Sequence, residues 1–395
     1  MPYDFNKVID RSDTMSQKWD NQEENFPENP KALPFWVADM DFPCPEPIVR
    51  AVQERAAHPI YGYSMIGKKS KELAAGWQKK RHSWDVDPSW VTFSNGIVPA
   101  LNAAVTAYTE PGDGVIIQPP VYYPFRDAIE NNGRKVINNP LIYDGEKWDV
   151  NLNELERLAE EENNKLLLLC HPLNPVSRVL TKEELIRIGE ICEKNHVLMI
   201  IDEIHSDLVY RHTKFYSLAS LNEKFAQNSI TAVAPSKTFN IAGLQMSAII
   251  IPNEKLRERF DQEMERRNFI PNLFGSVAFE AAYSNSECEE YLEELIDYLW
   301  DNYIFLDQYL KEHMPKIKCQ KPDATYLLWL DFGELHMSSE EIESFCLKEA
   351  GLAFDAGRWF GGEGKKYMRI NIGCPRKQLK QALELLEKAY KRRNY

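Results

Sequence analysis

The chain has no surplus of positive charge, no paired cysteines and no long apolar run, and each absence removes a class of function. Its 47 lysines and arginines are outweighed by 60 acidic residues, for a net charge of −13. A surface for nucleic acid or for an anionic membrane needs a basic stripe. The two short basic runs, Lys68-Lys69-Ser70-Lys71 and Lys79-Lys80-Arg81, fit solvated helix faces instead. The seven cysteines are scattered and odd in number, and no two form a C-x-x-C pair. Neither a zinc site nor a disulfide framework is suggested, so no metal is expected. Reduced thiols point to the cytoplasm. No apolar run approaches membrane-spanning length, and the polar stretch from Met1 to Asp20 lacks the apolar core of a secretory signal. No G-x-G-x-x-G follows a strand-like run, which argues against a dinucleotide site. Gly62-Tyr63-Ser64-Met65-Ile66-Gly67-Lys68-Lys69 nearly spells a P-loop. Lys69, however, stands where a Ser or Thr must bind magnesium, and no apolar strand precedes it.

What is present is an ordinary soluble composition, 44% hydrophobic and 27% charged, in 395 residues. That length accommodates a large α/β unit with a smaller companion. Six runs without polar alternation, at residues 90–93, 115–117, 166–170, 197–201, 230–234 and 247–251, read as strands covered on both faces. Helix-like segments separate them. The clearest opens with the capping box Thr181-Lys182-Glu183-Glu184 ahead of Leu185, Ile188 and Ile191. This alternation predicts a doubly wound, largely parallel sheet. Beyond residue 285 the pattern changes to a long helix over 291–313, a strand over 325–331, a helix near 338–350, a glycine-rich loop at Gly361-Gly362-Glu363-Gly364, a strand over 367–372 and a last helix from Lys377. The expected division is a large domain over 47–284 and a small α+β domain from 1–46 with 285–395.

Polar residues of interest fall just after the predicted strands, where open α/β sheets bind ligands. Lys237, in Ala234-Pro235-Ser236-Lys237-Thr238-Phe239-Asn240, follows the apolar run 229–233. It is either a desolvated, nucleophilic amine or one more solubilising cation. Ser94-Asn95-Gly96 precedes a helix from Ile97 and is either a phosphate cradle or a cap and turn. Asp202 ends the run 197–201 and needs a partner, which a protonated ring nitrogen or a helix terminus could provide. Tyr122 could stack on a planar group or simply pack. Arg369, on a strand, suits bidentate carboxylate binding or a structural ion pair. Together they supply a phosphate cradle, a stacking ring, an acid, a covalent lysine and a carboxylate clamp. Those are the needs of pyridoxal 5′-phosphate (PLP) bound to an amino acid.

The order Tyr122, Asn174-Pro175, Asp202, Ser236-Lys237 and Arg369 resembles the fold-type I PLP enzymes of the aspartate aminotransferase superfamily over nearly the whole chain. Five blocks are similar to the cystathionine β-lyase (MalY/PatB-type) branch of carbon–sulfur lyases. They are Pro34-Phe35-Trp36-Val37-Ala38-Asp39-Met40-Asp41-Phe42, Gly62-Tyr63-Ser64, Asp202-Glu203-Ile204-His205-Ser206-Asp207, Ser236-Lys237-Thr238-Phe239-Asn240 and Arg369-Ile370-Asn371-Ile372-Gly373-Cys374-Pro375-Arg376.

The resemblance implies a PLP-transferase-like α/β fold, with a mostly parallel mixed central sheet and a smaller α+β domain. It implies catalytic roles for Lys237, Asp202 and Tyr122. Lys237 would carry the cofactor and act as base, Asp202 would pair with the pyridine nitrogen, and Tyr122 would stack on the ring. Asn174 would approach the phenolic oxygen, and His205 falls where many relatives place a tyrosine. Gly96, Ile97 and Ser236 would hold the phosphate, joined by Tyr63 from the neighbouring subunit of a homodimer. Arg369 would bind the substrate α-carboxylate beside Asn174 and Tyr122. Three positions depart from the wider pattern. The usual Asn-Pro-Thr-Gly is Asn174-Pro175-Val176-Ser177, a phosphate arginine is replaced by Gln245, and a phosphate serine by Ala234. Phosphate binding is therefore expected to lean on backbone N–H groups and Tyr63. The implied reaction is α,β-elimination of cystathionine or a related cysteine S-conjugate to a thiol, pyruvate and ammonia. An aminotransferase on the same scaffold is the alternative, and only the branch resemblance separates the two.

Overall fold

The apolar runs pair side by side, as their lack of alternation predicts. In the structure, a computed structural model that describes residues 3–393, seven strands form one sheet. They are β1 (Val91–Ser94), β2 (Gly114–Ile117), β3 (Lys135–Asn138), β4 (Asn164–Cys170), β5 (Leu198–Asp202), β6 (Ser229–Val233) and β7 (Ser247–Ile250). Their spatial order is β1-β7-β6-β5-β4-β2-β3. The pairings β3·β2, β2·β4, β4·β5 and β5·β6 are parallel. Only β7 runs antiparallel to its neighbours β6 and β1. The sheet is mixed and mostly parallel, in an α/β fold.

Burial on both faces explains why these runs carry so little polar alternation. Along β4 and β5, Leu167, Leu169, Met199 and Ile201 feed one apolar cluster. The intervening Leu166, Leu168 and Ile200 feed another on the opposite face. Period-two side-chain alternation thus builds two cores from one continuous apolar string. The helix Lys182–Lys194 covers the first cluster and begins at Thr181 with both bonds of the capping box formed. β3 was not among the expected strands. Its outer residues Lys135 and Asn138 are exposed at the sheet edge, where a charged strand discourages pairing with another chain. Trp90 closes a short 3₁₀ turn rather than starting a strand, and Asp202 is itself the last residue of β5.

The 28-residue helix Ser286–His313 leads into a second sheet. Strands β8 (Lys318–Cys319), β9 (Leu327–Asp331), β10 (Asp355–Ala356) and β11 (Tyr367–Asn371) are antiparallel, in the order β8-β9-β11-β10. The helix expected near 338–350 runs from Ser339 to Ser344 and continues as a π-helical turn over Phe345–Glu349. The N-terminal segment joins this part of the molecule, since Leu33–Pro34 pairs in parallel with Leu352–Ala353. The basic runs lie on the helix Lys68–His82, where Lys69, Lys80 and Arg81 pair with Glu280, Glu289 and Glu293. Among the described residues, no helix is long and apolar enough to cross a membrane.

The N-terminal segment is held by a buried ion cluster. Lys18 is fully buried and donates to Asp41 Oδ2 at 2.7 Å, while Arg11 and Trp19 donate to Asp41 Oδ1 at 2.7 and 3.0 Å. Burial alone would push the Asp41 carboxyl up, but the charge of Lys18 holds it below its ordinary value. Removing one member of a buried pair leaves the other charge uncompensated. Lys18→Ala should therefore lower unfolding stability by about 3–5 kcal/mol. Chemical denaturation checks this, and an unchanged midpoint would show that the cluster contributes little.

Candidate active site

The carboxyl ends of β5 and β6 bring Asp202 and Lys237 to one cavity of about 400 Å³. Asp202 closes β5, and the residues after β6 turn into the short helix Pro235–Thr238 that carries Lys237. The cavity is also lined by Asn95, Gly96, Ile97, Tyr122, Asn174, His205, Ser236 and Gln245. Nine of the eleven positions singled out in sequence are therefore the walls of one space, if Gln245 is counted with them. The other two, Tyr63 and Arg369, are not on its lining. Tyr63 is fully exposed on the segment before the helix Lys68–His82. Arg369 is buried behind Asn174, and its Nη1 donates to Asn174 Oδ1 at 3.0 Å. Ala234 is buried as the N-cap of the lysine helix and takes no part in the lining.

Desolvation governs the charges here. Lys237 is half-buried on the cavity wall, and burial lowers its ammonium pKa to about 8. Burial likewise raises Asp202 to about 6, against the opposing pulls of the Ile204 backbone N–H and of Lys237. Asp202 accepts from Ile204 N at 3.0 Å. His205 is pushed down to about 3, first by burial and then by the cations Lys237 and Arg369. Its ring is neutral, so one nitrogen donates and the other accepts. The Tyr122 phenol is raised by burial and stays protonated as a donor.

Lys237 is also aimed from above. Its Nζ donates to the Ala38 carbonyl at 2.6 Å, and the Tyr326 hydroxyl donates to the same oxygen at 2.9 Å. Asn371 Nδ2 donates to Val37 O at 2.7 Å and Asp39 O at 2.6 Å, fixing the peptides on either side. Asn240, three residues after the lysine, donates to Met40 O and Phe42 O, both at 2.8 Å. The blocks matched in sequence at 34–42, 236–240 and 369–376 are thus stitched together around the lysine amine. Ala38 was missed because its contribution is a backbone oxygen, which residue type does not reveal.

The residues fit PLP on several independent observations. Gly96 adopts φ +135°, a conformation side chains disfavour, and the helix Ile97–Tyr108 starts there with no side-chain cap. Its first N–H groups and positive dipole end are left for an anion such as a phosphate. Asn95 Oδ1 and His205 Nδ1 are buried with no partner within the chain. Burial without a partner is costly, and a polar ligand would relieve it. Asp202 would regain its ionised form beside a cationic ring nitrogen. Among the described residues no group of three or more His, Cys, Asp or Glu side chains could hold a metal ion.

Comparison with known proteins agrees with this geometry. The family model for aminotransferase class I and II matches residues 31–386. Cystathionine beta-lyase PatB of Bacillus subtilis (strain 168) is 42% identical over 389 residues, spanning 98% of this chain and 99% of that protein. Protein MalY of Escherichia coli (strain K12) is 30% identical over 385 residues, spanning 96% of this chain and 97% of its own. Among solved structures, cystalysin from Treponema denticola, which contains a pyridoxal 5′-phosphate cofactor, gives a TM-score of 0.96 at 38% identity over 99% of this chain and 100% of that one. A family match across most of the chain, and an end-to-end relative at 42% identity, show that this protein belongs to the class I and II aminotransferase family, in its cystathionine β-lyase branch.

Proposed function

We propose that the protein is a PLP-dependent carbon–sulfur β-lyase that cleaves cystathionine or a related cysteine S-conjugate to a thiol, pyruvate and ammonia. The observation that carries the proposal is the pairing of Lys237, lowered to about 8, with Asp202 in one cavity. The names of relatives such as PatB favour the lyase over an aminotransferase on the same scaffold.

When bound, PLP supplies a ring that withdraws electrons from the substrate Cα and so acidifies its proton. Lys237 is the covalent attachment point and the proton acceptor. Near pH 8 a substantial fraction of its amine is neutral, and Ala38 O and the rigid lysine turn hold it in place. Asp202 would hold a proton on the ring nitrogen, and Tyr122 would stack on the ring. Asn174 would approach the phenolic oxygen, with His205 on the same lining. Gly96, Ile97 and Ser236 would hold the phosphate, and Gln245 lines the cavity where the wider pattern has arginine. Arg369 and Asn174 bind the α-carboxylate. A thiolate would leave Cβ once Lys237 has taken the Cα proton and would itself take up a proton, and water would hydrolyse the released enamine to pyruvate and ammonia, so no 2-oxo acid is required.

The same proposal includes a homodimer in which Tyr63 enters the partner's site. Its support is that Ile60, Tyr63 and Met65 stand exposed on an irregular segment ahead of the helix Lys68–His82. It includes a cofactor-carrying unit over 47–284 and a smaller unit from 1–46 with 285–395, resting on the two separate sheets. A cytoplasmic setting suits seven cysteines that are all free.

Incubation with cystathionine and no 2-oxo acid should yield pyruvate, and Lys237→Ala should reduce that rate by about 10³-fold or more. Turnover only when a 2-oxo acid is supplied would instead identify an aminotransferase. In cofactor-free protein, acylation of Lys237 followed by peptide mapping should rise with a half-point near pH 8, because the reactive neutral amine appears above that value. A half-point near 10.5 would show a solvated lysine. Sedimentation should give a dimer, and Tyr63→Phe should weaken cofactor binding about tenfold while leaving the dimer intact. A fully active monomer would remove Tyr63 from the site.

A further inference from the structure

Arg369 does not wait in the fold as a free cation. Asp355 lies directly opposite it in the antiparallel register of β10 and β11, so both side chains leave the same face of the sheet. Arg369 is 3% exposed and Asp355 2% exposed. Arg369 Nη2 forms an ion pair with Asp355 Oδ2, Nη1 donates to Asn174 Oδ1, and the guanidinium carbon sits 4.9 Å from the centre of the Phe360 ring. Nε is buried with no partner in the chain. The guanidinium is therefore fixed on three sides and electrically balanced, and it keeps Nε and the second N–H of Nη1 and Nη2 for a ligand.

A buried arginine without a counter-ion would attract any carboxylate strongly. The Arg369–Asp355 pair has no net charge, so an incoming α-carboxylate meets directed N–H groups rather than an uncompensated cation. We propose that Asp355 is a positioning residue that sets the strength of the α-carboxylate subsite: it holds Arg369 in one orientation and, by cancelling its charge, keeps amino-acid binding weak. This rests on the proposed function only in taking Arg369 as the carboxylate-binding residue. It says nothing of which bond breaks. Asp355 belongs to the polar face of a two-residue strand, and its role is visible only once that strand is paired with β11.

The test uses the holoenzyme and an S-substituted α-methylcysteine, which has no Cα proton to lose. Its carboxamide is the control. Binding is read from the absorption of the cofactor on titration. Asp355→Asn keeps an oxygen that can accept from Nη2 while removing the charge. At an effective dielectric constant of about 20, two carboxylates about 6 Å apart repel by about a hundredfold in affinity, so relief of that repulsion should tighten the α-methyl acid by about tenfold to a hundredfold. Binding of the carboxamide should stay within about twofold, because it carries no charge for Asp355 to oppose. If Asp355→Asn does not accumulate as folded holoenzyme, Asp355→Ser is measured with the same expected sign. An unchanged or weaker affinity for the acid, or an equal gain for the amide, overturns the proposal. The outcome is independent of the pyruvate assay, so the lyase reading can fail while this result stands.

Discussion

Lys237 and Asp202 line one cavity at the strand ends, and the cost of desolvating a charge pushes both toward their neutral forms. The rest of the structure serves to create that condition. Parallel strands buried on both faces end together, so the residues immediately after β5 and β6 emerge side by side with hydrophobic layers behind them. On an exposed loop the same lysine would be an ordinary ammonium ion, and the same aspartate an ordinary carboxylate. Here each is held within reach of a working pH, which suits the amine to take a proton and the carboxyl to ionise beside a cationic partner.

The cavity is completed by a part of the chain distant in sequence. Residues 37–42 cross above Lys237, and three side chains from other elements, Asn240, Tyr326 and Asn371, bond to their carbonyls. Asp41, at the end of this segment, is fixed by Lys18, Arg11 and Trp19. Stability of the N-terminal segment and aim of the catalytic amine are therefore one property. A change that frees the segment withdraws Ala38 O from Lys237 without touching the lysine itself. Asn240 and Asn371 also explain why the matched sequence blocks extend past the residues that line the cavity.

Much of the fold could be read from the chain because its signals are local. Six apolar runs and one capping box depend on residues a few positions apart, and the strands and the helix N-terminus stand within a residue or two of expectation. β3 escaped because an edge strand with exposed Lys135 and Asn138 has no strong apolar pattern. In the site, Lys237, Asp202, Asn174, Tyr122, His205, Ser236, Gly96 and Ile97 share one lining because strand ends converge. What sequence could not reveal has a common cause, which is contact across long separations. The Ala38 carbonyl carries no residue signature, and Asp355 becomes the partner of Arg369 only through antiparallel pairing. For Arg369 two readings stood open, a carboxylate clamp and a structural ion pair. The structure contains the ion pair, with Arg369 buried behind Asn174, and the clamp belongs to the proposed function.

The most direct measurement is chemical. Borohydride reduction of the PLP-loaded protein, followed by peptide mapping, identifies the lysine to which the cofactor is joined. A single modified site at Lys237 is predicted, because it is the lysine lowered by burial at the cavity wall. Modification at another lysine, or spread over several surface lysines, would contradict the central assignment and with it the pairing of Lys237 and Asp202.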